Sequence, residues 1–175
     1  EIPLRLVGSE MCIRDRRISM TIKVEKNKII FSRTFTGTIH ELFNAYTQED
    51  LFKQWFHPEG ASTEVFEFNV EEGGHAFFAI HTPDMTSYTR SEYKKIEKPN
   101  YIEYLDFFAT PDGDKDPNMP GMHIVIEFEE KQPNQTTVTS TSVLPSEEAA
   151  QQALDMGVEE GMNSTLDQLE KLLKS

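Results

Sequence analysis

The side chains able to hold or transform another molecule are few in this chain, and most fall short of a complete motif. His40-Glu41 opens like a zinc-binding HExxH helix, but position 44 is Asn where a second His would complete the pair on one helical face. Asp112, Asp114 and Asp116 imitate the start of a calcium loop, with alternate carboxylates converging on a hard cation. Pro117 occupies the place of the turn glycine and His123 that of the bidentate glutamate, so a solvated acidic loop is expected. No Gly-rich phosphate loop or GxSxG elbow is present, and the one cysteine, Cys12, lies ahead of the patterned part of the chain. Neither a metal, a cofactor nor a covalent nucleophile is therefore expected. Arg90 and Glu92 remain, two residues apart on an alternating segment and so on one face with Tyr88, while Thr89, Ser91 and Tyr93 share the other. Facing inward, Arg90 and Glu92 could orient the polar end of a ligand or exchange a proton; facing outward, they form a charge ladder.

A second set is aromatic. Trp55, Phe56, Phe66, Phe78 and Tyr104 have the size to line a cavity for an apolar or aromatic molecule, or equally to fill an ordinary core. The choice rests on the elements that carry them.

Those elements are legible. Alternation over residues 30–35 gives a first strand. Thr38 followed by Glu41 reads as a capping box, and Ile39, Leu42, Phe43 and Tyr46 recur at helical spacing behind it. Thr47 and Asp50 repeat the start signal for a second short helix, with Leu51 and Trp55 on one face and an end before Pro58. Strands follow at 64–70, with Phe66 and Phe68 on one face, then at 75–82, 86–96, 101–109, 122–129 and 136–143, with a polar loop over 110–121. Ser146 opens one long final helix, on which Leu154, Val158, Met162, Leu166, Leu169 and Leu173 form an apolar stripe. Gly157 and Gly161 interrupt that stripe at about 1 kcal/mol each against alanine, which calls for close backbone approach or room for a ligand. The expected class is α+β: a curved antiparallel sheet of about six to seven strands around a long C-terminal helix, with two short helices after the first strand.

Composition narrows the function classes. The net charge of -13 argues against nucleic acid and anionic membrane surfaces. No apolar run approaches the roughly 20 residues that span a bilayer. Cysteine usage suits a cytoplasmic setting.

The pattern resembles the START-like (SRPBCC, helix-grip, Bet v 1-like) superfamily, and within it the heat-shock protein 90 ATPase activator homologue-like domains. The residues that carry the likeness are Arg33 and Phe35, Leu51 with Gln54-Trp55-Phe56 and Pro58, Gly73-Gly74, Thr82-Pro83-Asp84, Tyr93, Ile96 and Pro99. Asp106-Phe107-Phe108, Met119-Pro120, Met156-Gly157 and Glu160-Gly161 continue it, over residues 27–173. Two positions depart: Met162 stands where relatives often carry tryptophan, and Met85 where glycine follows Pro-Asp. The first implies a larger or more permissive pocket, since methionine is slimmer and adaptable. The resemblance implies binding of a small apolar or aromatic molecule between sheet and helix, with Trp55, Phe56, Phe66, Phe78, Arg90, Glu92, Tyr93, Tyr104 and Met162 as candidate contacts. A polyketide-cyclase-like enzyme using a cavity acid/base is the alternative, and a perturbed pKa at Glu92 or an adjacent polar residue would favour it. Chaperone contact ranks below both, since the activators themselves carry an additional N-terminal domain that nineteen unpatterned residues cannot replace. A homodimer through the sheet edge is compatible with all three.

Residues 1–19 carry a net +1, leaving -14 for the rest, and their short apolar stretches precede the arginines, unlike a signal peptide. The string LVGSEMCIRDR resembles translated sequencing-adapter read-through. Residues 1–19 are thus expected to be a non-native or disordered tail, and 20–175 one domain that starts at Met20. Removal of residues 1–19 should leave the melting temperature unchanged; a clear loss of thermal stability would refute this boundary.

Overall fold

The computed structural model describes residues 21–174. The expectations for the first nineteen residues, Cys12 among them, lie outside the described residues. Eight strands form one antiparallel, curved and unclosed sheet: β1 (Thr21–Glu25), β2 (Lys28–Thr36), β3 (Ser62–Phe68), β4 (His75–His81), β5 (Thr86–Glu97), β6 (Tyr101–Ala109), β7 (Met122–Gln132) and β8 (Gln135–Val143). Their order across the sheet is β1-β2-β8-β7-β6-β5-β4-β3. Two short helices, α1 (Ile39–Thr47) and α2 (Glu49–Trp55), carry the chain from β2 to β3 at the far edge. Two more, α3 (Glu147–Asp155) and α4 (Val158–Lys174), follow the last strand.

The expected capping box closes α1 in both directions: Glu41 N donates to Thr38 Oγ1 at 3.2 Å, and Thr38 N donates to Glu41 Oε1 at 2.9 Å. The second start signal works differently. Gln48 is the cap of α2 and makes no side-chain bond there, while Thr47 Oγ1 donates back to Phe43 O. Phe52 and Trp55 are the residues that α2 buries.

The expected α+β helix-grip class holds, and three details of its elements differ. The sheet has one strand more than the upper count, because the short polar segment β1 pairs with β2 at the edge and buries little. The final helix is two helices, because Gly157 takes φ 88°, a left-handed conformation open to glycine, and α3 ends there. Close packing does not explain Gly157 or Gly161, since a Cβ added at either meets nothing within 4 Å.

The inner face is set by strand alternation. On β2, Ile29, Phe31, Arg33 and Phe35 point inward and are buried; on β7, Ile124, Ile126 and Phe128 do the same. Helix α4 lays Leu166 and Leu169 onto this face. Arg33 is the charged member of the inner row. Its Nη2 lies 2.8 Å from Asp167 Oδ1 and 3.5 Å from Glu170 Oε2, its guanidinium sits 5.3 Å from the Phe35 ring centre, and its Nε has no hydrogen-bond partner among the described residues. This arginine ties β2 to α4.

Because the partner carboxylates reach solvent, removing Arg33 strands no buried charge, and the loss is chiefly packing plus one charge-assisted bond. Arg33→Ala should lower unfolding stability by about 1–3 kcal/mol, and Arg33→Met, which keeps the stem, by less than about 1 kcal/mol. Urea denaturation of both variants checks this; a methionine variant weaker than the alanine one would overturn it.

Candidate functional site

The helix and the sheet do not close on each other along their whole length. Between them lies a cavity of about 160 Å³, walled by inward residues of β2, β6, β7 and β8, by Trp55 and Phe56 at the end of α2, and by Val158, Met162 and Leu166 of α4. Most of the wall is apolar. Tyr46, Tyr104, Asp106, Ser140 and Ser142 supply its polar side chains.

Asp106 is the chemical centre of this wall. It is in phase with Ile102 and Tyr104 on β6, pairs in register with Ser91 on β5, and accepts a hydrogen bond from Ser91 Oγ at 3.0 Å. Its other oxygen meets no protein donor among the described residues. Burial pushes this carboxyl from 3.8 up to about 7, with the Ser91 bond opposing the shift. The neighbouring phenols respond to the same enclosure. Tyr104 is raised by burial, then by Asp106, Tyr93 and Tyr46; Tyr93 is raised by burial, then by Asp106. Tyr46 is raised by burial, with Arg33 pulling the other way.

Trp55 is held at the cavity edge from two sides. Its Nε1 donates to Ala45 O at 2.9 Å, and the Tyr46 and Phe56 rings meet it edge-on at 4.8 and 5.3 Å.

Of the residues anticipated from the sequence, Trp55, Phe56, Tyr104 and Met162 line the main cavity. Phe78 and Tyr93 stand behind them, around a smaller space of about 20 Å³ that Asp106, Ser91 and Tyr104 also border. Phe66 is corrected to the outer face: a bulge between Val65 and Glu67 inserts one residue into β3, so Phe66 turns away from Phe68 and stacks near Phe77 and Tyr88 at 45% exposure. Arg90 and Glu92 are corrected likewise. Their strand face looks outward, where Arg90 Nε and Lys115 Nζ each lie 3.0 Å from a Glu92 oxygen. Burial alone would raise Glu92, but the bonds and charges of Arg90 and Lys115 hold it below the usual carboxylate range. The perturbed acid of the interior is thus Asp106 rather than Glu92. The signal for it was a lone carboxylate at an inward position of the apolar strand YIEYLDFFA.

Among the described residues no group of three or more His, Cys, Asp and Glu side chains could hold a metal ion. No helix among them is long and apolar enough to cross a membrane.

Asp106 makes stability depend on pH in a defined direction. Below pH 3.8 the folded and unfolded chains both hold the proton; between 3.8 and about 7 only the folded chain does, so stability falls as pH rises through that window and levels off above it. The full loss is at most about 4 kcal/mol. Asp106→Asn, which cannot ionise, should flatten this slope and be the more stable form at about pH 8. Melting temperatures of the two proteins across the window check it; parallel curves would overturn it.

The family model described as Activator of Hsp90 ATPase homolog 1-like protein matches residues 36–174. Among solved structures, the solution NMR structure of a Staphylococcus epidermidis protein is 61% identical, with 89% of this chain and 94% of that chain covered at a TM-score of 0.81. The crystal structure of protein Ms6760 from Mycobacterium smegmatis is 25% identical over 88% and 96%, with a TM-score of 0.80. An Arthrobacter aurescens protein at 22% identity, with 88% and 91% covered and a TM-score of 0.80, shares the fold. No curated protein matched. With its helix-grip architecture and a match over most of its length, the chain belongs to the Activator of Hsp90 ATPase homolog 1-like family.

Proposed function

We propose that the protein binds a small apolar or aromatic molecule between the concave sheet and α4, with Asp106 anchoring the polar end of that molecule. The observation that carries this reading is an apolar cavity of about 160 Å³ into whose wall a single carboxyl is built, one oxygen held by Ser91 and the other without a protein partner among the described residues. An apolar cavity of roughly 150 Å³ is enough for one benzene-sized ring. Below its pKa the neutral carboxyl donates to an acceptor on the ligand; above it the carboxylate accepts from a donor. Family membership supports a ligand-binding role of this general kind. A cytoplasmic setting accords with the reading.

The buried acid also favours a second reading, an enzyme that uses Asp106 as a general acid or base. A group that titrates near neutral pH is matched to that task. A turnover rate that follows an apparent pKa near 7 and is lost in Asp106→Asn would establish it.

Trp55, the one tryptophan, reports on the cavity directly because it is part of the wall. Titration with benzyl alcohol should give a saturable change in its emission, stronger than with ethylbenzene, which has the same shape and no hydroxyl. Ser140→Leu, which fills the cavity from β8, should abolish both responses. Native mass spectrometry of the purified protein should show a retained small molecule. An emission unmoved by either probe, together with an empty protein, would overturn the reading.

A further inference from the structure

The cavity has a second chamber. On its outer side lies a groove of about 250 Å³, bounded by Phe56, His57 and Pro58 after α2, by Ile80 of β4, and by Val158, Gly161, Met162 and Thr165 of α4. Phe56, Val158 and Met162 line both spaces, so the partition between them consists of side chains. Phe56 is pinned by stacking on Phe52 at 4.5 Å and by edge contacts with Trp55 and Phe78. Val158 is short and β-branched. Met162 is unbranched, with three rotatable bonds, and is the member of the partition that can swing without moving backbone.

The groove suits an apolar chain. The Thr165 hydroxyl is spent on Gly161 O at 2.9 Å, and His57 Nδ1 lies 3.0 Å from Pro58 O. Gly161 keeps the groove open, because no atom lies within 4 Å of where its Cβ would be. A helix-interior glycine that makes no close contact costs helix stability and leaves space in return.

We infer that the ligand is an elongated molecule whose polar, ring-sized head occupies the inner cavity and whose hydrocarbon tail lies in the outer groove, and that Met162 sets how long a ligand the site accepts. This rests on the cavity reading above and adds to it a ligand shape, an exit and a length-determining residue. The continuous wall argues for a tail of the same ligand, since anything else in the groove would close the one side on which the inner cavity meets it.

The test is a series of 4-alkylphenols, from phenol through ethyl, butyl, hexyl and octyl, titrated against Trp55 emission. In the unaltered protein the Kd should keep falling beyond the ethyl member, by roughly fourfold per methylene while the groove takes up the tail. In Met162→Trp, which thickens the partition, and in Gly161→Phe, which fills the groove, the fall should stop at the short members. Gly161→Phe meets no atom at its Cβ and replaces a poor helix former, so its fold should hold, and its melting curve checks this. Phe66→Ser, on the outer face, should retain the full length dependence. A Kd that levels off at ethylphenol in the unaltered protein, or a fall in Met162→Trp and Gly161→Phe as steep as in the unaltered protein, would overturn the two-chamber site while the cavity reading stands. Failure of phenol and every longer member to bind would remove both.

Discussion

The seating of α4 on the concave face of the sheet is the constraint on which the rest of this structure depends. A helix is a straight cylinder about 10 Å across, and a curved sheet can meet it along only part of its length. Contact is tight at the C-terminal half, where Leu166 and Leu169 are buried and Arg33 reaches up from β2 to Asp167 and Glu170. Toward the N-terminal half the surfaces part, and Val158 and Met162, which still touch the core, also border the cavity. The cavity is thus a consequence of shape mismatch, maintained by the grip further along the helix.

The break at Gly157 divides the work between two helices, since the left-handed residue ends α3 and α4 starts anew beyond it. Ala150 of α3 packs with Ile29, Phe31 and Leu144 in a small cluster of its own, which leaves α4 to roof the main core. Two glycines that weaken the helix locally therefore have separate uses: Gly157 turns the chain, and Gly161 keeps a face empty.

Carboxylates on the two faces of β5 and β6 show how strongly position rules chemistry. Glu92 and Asp106 lie on neighbouring strands, but Glu92 faces outward beside Arg90 and Lys115 and stays charged, whereas Asp106 is buried in a mostly apolar wall with Ser91 as its hydrogen-bond donor and is pushed toward neutrality. A one-residue slip of each strand would exchange the faces on which they lie. An acid near its own midpoint at neutral pH can offer or accept a hydrogen bond, which is why the cavity has a defined polar pole.

The architecture was already legible in local sequence signals. Capping residues, strand alternation and the apolar stripe from Leu154 to Leu173 are local signals, set by backbone geometry within a few residues, and they specified the α1 cap, the strand-rich middle and the roofing helix. The sequence also supplied Trp55, Phe56, Tyr104 and Met162 as wall residues, because aromatic size and helical spacing survive folding unchanged. Which face each strand turns inward was decided only in three dimensions. The bulge at Val65 and Glu67 reversed Phe66, the outward phase of the Arg90 and Glu92 face of β5 removed those two, and burial of Asp106 at an inward position of β6 created the acid of the cavity. Alternation has two equivalent phases in a strand, and the choice between them is made by contacts with neighbours far away in the chain.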